Sequence, residues 1–393
     1  MLAISSASVH DVPVKLRTAT AVAGAAGAIS LTACSLTAPP AAHTAAFGRK
    51  SAMASSAAPA HPATASPSVP ARPGGTAAVT IAAVGDTMLG STPDLPPYPA
   101  TYLDPVKRIL STGAQIVFGN LEGTLTTATA SKCGPSGAAA NCYAFRDPPD
   151  YVHYFKDAGF TILNNANNHS MDFGPVGQAQ TVQTIHAADL AQTGLPGEIT
   201  LVTSNGIRVA FLAFAPYRYT ASLLDLPAAH ALIRQAANEA SVVVVYMHAG
   251  AEGPAADHVT GHEEYYLGED RGNPEAFAHL AIDSGASLVI ASGPHVLRGI
   301  QFWHGHLIAY RLGNFAGYGN FGTDDDLALS AILHVTLSST GQFERARLYP
   351  LQFTGQGQPA PGGNAAAFVA RISQEDFGSS AARISALGAI QPP

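Results

Sequence analysis

Val242-Val243-Val244-Val245-Tyr246 reads as a buried strand, and the organisation of the chain follows from what flanks it. Its β-branched and aromatic residues show no polar alternation, so neither of its faces is marked for solvent. A helical stretch, Ala228–Ala240, precedes it. A second helix, opened by proline, covers Pro274–Asp283 and leads into another apolar run, Ser287-Leu288-Val289-Ile290. The same succession runs nearer the N-terminus. Strands are expected at Val79–Val84, Ile116–Phe118, Phe160–Leu163 and Arg208–Phe214, with helices at Asp104–Leu110, Tyr151–Ala158 and Val176–Ala188. Strand and helix in alternation predict an α/β fold with mainly parallel pairing. Beyond Gly299 the helices drop out. Gly299–Trp303, Leu307–Leu312 and Ala328–Leu337 read as antiparallel strands, with His304 and His306 around a hairpin turn at Gly305. The expectation is therefore packed, mixed sheets with helices outside, closed by one or two helices in Ala366–Ile384.

Chemistry-bearing residues recur just after the predicted strands. Val84 is followed by Gly85-Asp86, Phe118 by Gly119-Asn120-Leu121-Glu122, and Leu163 by Asn164-Asn165-Ala166-Asn167-Asn168-His169, then Asp172. Tyr246 leads to His248 and Glu252, and Ile290 to His295. Ligands of open α/β sheets bind outside the carboxyl ends of the strands, so these loops should converge. Taken singly, each residue has a plainer use. Asp86 could cap a helix, Glu122 could be a solvated charge, Asn167 and Asn168 could form turns, and the histidines could be hydrogen-bonded structural residues. Their joint recurrence points instead to a metal-site constellation. Gly85–Gly90 has the glycines of a tight turn but neither GxGxxG nor Walker spacing, and there is no GxSxG nucleophile elbow.

The chain has 393 residues, of which 12% are charged, with 20 Lys+Arg against 27 Asp+Glu. An acidic chain with few cations offers no basic face for nucleic acid. Residues 1–34 have the order of a secretory signal: Lys15 and Arg17, an uncharged stretch, then Leu31-Thr32-Ala33-Cys34. Cys34 in that setting resembles the lipidated cysteine of a bacterial lipobox, which implies export and a lipid anchor on the outer face of the cell membrane, or secretion. Residues 35–75, rich in Ala, Ser and Pro, read as a flexible tether. Residues 76–393 are long enough for one large domain. Cys133 and Cys142 flank a turn-rich loop that a disulfide can close, the alternative being two free thiols.

The motifs together resemble those of the bacterial capsule-synthesis CapA, or poly-γ-glutamate biosynthesis, family of the calcineurin-like metallophosphoesterase superfamily. The resembling segments are Val84–Gly90, Gly119–Gly123, Asn167–Gly174, His248–Glu252, Gly293–Val296 and Tyr310–Phe315, in family order. The resemblance implies a four-layer α/β/β/α sandwich of metallophosphoesterase type with mixed sheets. It also implies a metal centre of one or two divalent ions (Mn, Fe or Zn) held by Asp86, Glu122, Asn168, His248 and His295. His169 would be the catalytic acid or base, oriented by Asp172 or Glu252, with Asn120, Arg271, Arg298 and Asn314 as substrate contacts. Two departures bear on the metals: Met88 stands where the superfamily has a histidine, and so does Ser292, which thins one site. Two functions follow. One is metal-dependent hydrolysis of a phosphoester or of a polymer amide such as that of poly-γ-glutamate, beside membrane proteins of polymer synthesis. The other is non-catalytic guidance or retention of an anionic surface polymer.

Overall fold

The computed structural model describes residues 77–134 and 142–393. The leader, the lipobox cysteine Cys34 and the tether lie outside the described residues.

Two mixed sheets carry the architecture. In the first, Ala78–Thr87 runs parallel to Ile116–Leu121, which is followed outward by Ile162–Asn164 and Ala191–Thr193. On its other side Ala78–Thr87 pairs antiparallel with Leu329–Ser338, and that strand with Phe343–Thr354. In the second sheet Val242–His248 lies between Ile207–Ala215 and Leu288–Ser292, parallel to both. The hairpin Ile300–Trp303 and His306–Ala309 closes one edge, turning through His304 and Gly305 in the left-handed region. That pair of residues with positive φ matches the right-handed twist of the flanking strands.

The period-2 alternation of each strand sorts its side chains into layers. Val79, Ile81 and Phe118 from the first sheet meet Phe211, Val244 and Tyr246 from the second, all buried in one cluster. Phe118 sits at its centre, with ring centroids 5.8 Å from Phe211 and 5.5 Å from Tyr246. The opposite face of the first sheet (Ala82, Val84, Val117) packs on Val106, Leu110, Phe155 and Ile185 of the helices Asp104–Ser111, Val152–Ala158 and Gly174–Ala187. The opposite face of the second (Leu212, Val243, Val245) packs on Ile233, Phe277 and Ala281 of Leu226–Glu239 and Pro274–Asp283. The result is the α/β/β/α sandwich, and its doubly covered strands explain why they read as unbroken apolar runs.

The structure corrects the sequence reading at the C-terminal end. Phe343–Thr354, a strand of 12 residues, was not anticipated. The closing helix covers only Ala365–Phe377, because the chain turns at Gly378 and then forms the short strands Arg383–Ile384 and Ala389–Gln391.

One buried carboxyl in this frame couples stability to pH. Burial pushes the Asp147 carboxyl up from 3.8 to about 8, opposed only by the Leu89 N–H, which donates to Oδ2 at 2.9 Å. The folded state therefore holds a proton that the unfolded chain releases, so stability is highest below pH 4 as far as this group is concerned and falls as pH rises through 8. The loss across that window is on the order of a few kcal/mol. Asp147→Asn should flatten this dependence, and urea unfolding at pH 5.5 and 8 would read it. Equal slopes in the two proteins would rule Asp147 out as the cause.

Candidate metal centre

The parallel strands of both sheets point their carboxyl ends at one rim, and the polar clusters meet there. Asp86 lies near the end of Ala78–Thr87, where Gly85 permits a close approach: a Cβ at Gly85 would stand 1.8 Å from the Gly313 carbonyl oxygen. Glu122 follows Ile116–Leu121 directly, and His248 ends its strand. One ligand atom from each of Asp86, Glu122 and His248 falls within 4.8 Å of the other two, and all three side chains are fully buried.

A network underneath fixes these groups. Asn120 Nδ2 donates to Asp86 Oδ1 at 2.7 Å and also to Glu122 Oε2. Asn120 Oδ1 accepts from Asn164 Nδ2 at 2.7 Å and from Asn167 Nδ2 at 2.9 Å. The Tyr246 hydroxyl lies 3.2 Å from His248 Nδ1, which orients the ring. His248 Nε2 and Glu122 Oε1 are left 3.7 Å apart, each buried with no hydrogen-bond partner. Asn168 Oδ1 and Ser292 Oγ are orphaned in the same way, and Ser292 neighbours His248 in the sheet register. Orphaned buried acceptors cost stability unless something occupies them. Carboxylate, imidazole and amide oxygen form a donor set suited to Mn, Fe or Zn. The residues fit a divalent metal.

Their protonation follows from burial. Burial alone would raise the Asp86 pKa, but Arg311, His295 and His248 together bring it below the carboxylate range. Arg311 Nη2 donates to Asp86 Oδ2 at 2.7 Å. Glu122 moves the other way, raised by burial and by the Asp86 charge. Burial, then Arg271, holds the His248 pKa well down, so its imidazole is neutral and able to ligate.

Above this floor opens a cleft of about 990 Å³ lined by His169, Asn168, Tyr217, Tyr219, Arg271 and His295, among others. His169 Nδ1 is 2.8 Å from Asp172 Oδ2, and Asp172 accepts from Phe145 N–H at 2.6 Å and pairs with Lys132 at 2.6 Å. Burial depresses the His169 pKa against the pull of Asp172. His295, held in the left-handed region at φ 64°, points Nδ1 at Asp86 Oδ2 across 3.3 Å.

Several roles expected from sequence change place. Asp172 orients His169, whereas Glu252 pairs with Arg271 at 3.0 Å and lies 3.9 Å from His295 Nε2. Asn120 faces no substrate, since both ends of its amide are used beneath the carboxylates. Asn314 lines the cleft, but its Oδ1 is 2.8 Å from His295 Nδ1 and its Nδ2 donates to the His295 carbonyl, so it positions that ring. Arg271 lines the cleft, bonded to the Tyr217 hydroxyl at 2.8 Å. Arg298 does not reach it: its guanidinium is wholly taken by Glu264, at 3.0 and 2.6 Å, and by the Ala256 carbonyl. Cys133 and Cys142 are joined beside the cleft, with Cα atoms 5.6 Å apart. Sequence reasoning missed Arg311, Asn164 and Tyr246. Arg311 carried a signal, as a charge inside the otherwise apolar run Leu307–Leu312.

Residues 80–318 match the family described as bacterial capsule synthesis protein PGA_cap. The "PGA biosynthesis protein CapA" of Bacillus subtilis (strain 168) is 30% identical over 210 residues, covering 49% of this chain and 52% of that protein. The "Capsule biosynthesis protein CapA" of Bacillus anthracis is 32% identical over 187 residues, 42% of each chain. The chain thus spans about half the length of the curated relatives it matches. A solved Staphylococcus aureus structure, put forward as a 5'-nucleotidase and containing α-ketoglutarate, is 10% identical with a TM-score of 0.39. It covers 72% of this chain and 54% of its own.

Proposed function

The chain belongs to the bacterial capsule synthesis protein PGA_cap family, and on that premise we propose that it is an exported, metal-dependent hydrolase of cell-surface polymer synthesis, acting on a phosphoester or a polymer amide. The observation that carries this reading is the buried Asp86–Glu122–His248 group on the floor of a cleft, with unpartnered ligand atoms converging. A divalent ion there would lower the pKa of water and polarise the scissile group. The chain supplies the remainder. Asp86, Glu122 and His248, with Asn168 and His295 at the margin, would hold the ion. His169, neutral with Nδ1–H donated to Asp172, keeps Nε2 free to take up or return a proton. Arg271, braced by Glu252, lies where an anionic group entering the cleft would pass.

Catalysis is favoured over retention of an anionic polymer by the cleft's charges. Lys132 is matched by Asp172, and Arg271 by Glu252 and Glu269, so no unpaired cationic track lines the wall among the described residues. Export is supported by the leader and by the Cys133–Cys142 pair, which suits an oxidising compartment. Anchoring through Cys34, and association with membrane proteins of polymer synthesis, belong to the same proposal.

Metal analysis tests it. The purified chain should carry a divalent transition metal by inductively coupled plasma mass spectrometry, and the Asp86→Ala, His248→Ala double variant should lose it. Phosphoester and poly-γ-glutamate cleavage by the loaded wild type would then separate the two bond classes. Absence of metal after incubation with Mn²⁺, Fe²⁺ and Zn²⁺ would sink the hydrolase reading.

A further inference from the structure

We propose that Arg311 supplies one of the positive charges of this centre from the protein itself, and so restricts the site to a single divalent ion on Asp86, Glu122 and His248. The inference rests on the metal-centre reading above. It goes beyond that reading by assigning both the metal count and the residue that sets it.

Two buried arginines lie side by side here, and their bonding differs. Arg298 has its Nε, Nη1 and Nη2 all engaged, as a structural arginine should. Arg311 is fully buried with Nη2 on Asp86 Oδ2, yet its Nε and Nη1 have no partner. It does not line the cleft, so it is not placed to grip substrate. A guanidinium kept dry with donors idle is not there for its own stability, because desolvating it outweighs one ion pair. What it does deliver is positive charge beside a carboxylate of the metal centre.

The charge count decides the stoichiometry. Asp86 and Glu122 together offer two negative charges when a metal holds Glu122 ionised, and Arg311 cancels one. A single dication leaves a small excess that a hydroxide or an anionic substrate can absorb. Two dications over the same groups leave an excess that nothing in the buried floor offsets, at spacings where a low dielectric makes repulsion severe. Arg311 also engages Asp86 Oδ2, the oxygen that His295 Nδ1 approaches to 3.3 Å, so that oxygen already carries a cationic donor.

The experiment is a Mn²⁺ titration of the full chain by calorimetry, with metal analysis and electron paramagnetic resonance of the saturated protein. Wild type should saturate at one equivalent and show the spectrum of isolated Mn²⁺. Arg311→Ser should take up a second equivalent and show a spin-coupled pair. Arg311→Lys, which keeps the charge, should remain at one. Two equivalents in wild type or in Arg311→Lys would overturn the role of Arg311 while leaving the metal centre standing. One equivalent in a folded Arg311→Ser protein would overturn it too. No metal in any of them would overturn the centre and this assignment together. If Arg311→Ser fails to fold by circular dichroism, Arg311→Gln, which removes the charge but keeps most of the side chain's size, takes its place with the same expected second equivalent.

Discussion

In the hydrolase proposed above, His169→Ala is expected to lower turnover about 10²- to 10⁴-fold, the usual worth of a positioned proton-transfer group, with metal content unchanged. The geometry separates these two readouts. His169 is not among the groups that converge with Asp86, Glu122 and His248, so its removal strips no ligand from that cluster. The geometry suits the proton carrier proposed above: Nδ1 is committed to Asp172, whose carboxylate is fixed by the Phe145 N–H and by Lys132. Its ring also packs against Phe145 at 4.6 Å between centroids, which limits its rotation. Asp172→Asn should also produce a large loss, since an amide in place of the carboxylate no longer secures the imidazole tautomer or supports the imidazolium. Measuring kcat and KM on an activated phosphodiester, beside metal analysis, checks both variants. A His169→Ala enzyme with full activity would remove His169 from the chemistry. One that also lost its metal would make it a ligand.

The sequence exposed most of the frame because both sheets are covered on both faces, leaving unbroken runs such as Val242–Tyr246 whose burial needs no partner to be read. Phe343–Thr354 escaped for the opposite reason. Glu344, Arg345 and Arg347 are all exposed although the first two are consecutive, and the buried residues shift phase between Leu348 and Leu351, so the alternation is broken. At the site, the residues that follow strand ends were legible because topology alone brings parallel strand termini together. Their assignments were less so. Arg298 and Arg311 both follow apolar runs, yet one pairs with Glu264, 34 residues away, and the other with Asp86, 225 residues away. Only the tertiary fold distinguishes them, since Glu264 lies in a loop and Asp86 near the end of a strand. Asn120 was placed in the site but on the wrong side of it, for the same reason.

Glu264→Ala should cost about 3–5 kcal/mol of stability, the penalty for stranding one member of a buried ion pair. Arg298 is 1% exposed, and Glu264 accepts two of its donors at 3.0 and 2.6 Å. Glu264 Oε2 also accepts the Ala251 N–H at 2.8 Å, so the same change leaves a backbone donor open in the loop between His248 and Glu252. Gly250 lies over the pair at φ 91°, where a Cβ would stand 2.8 Å from both Arg298 Nη1 and Glu264 Oε2. The pair therefore clamps the segment that carries Glu252 past the metal floor, and its loss should reach the centre as weakened metal affinity as well as a lower urea midpoint. Replacing both partners with apolar residues, Glu264→Leu with Arg298→Met, should recover most of the stability, because the desolvation cost leaves along with the attraction. Metal affinity should recover less, since the Ala251 N–H stays unbonded. The contrast between single and double variants is what identifies Arg298 as a structural arginine. Were Glu264→Ala as stable as wild type while Arg298→Met alone abolished substrate binding, Arg298 would have to be reassigned to the cleft.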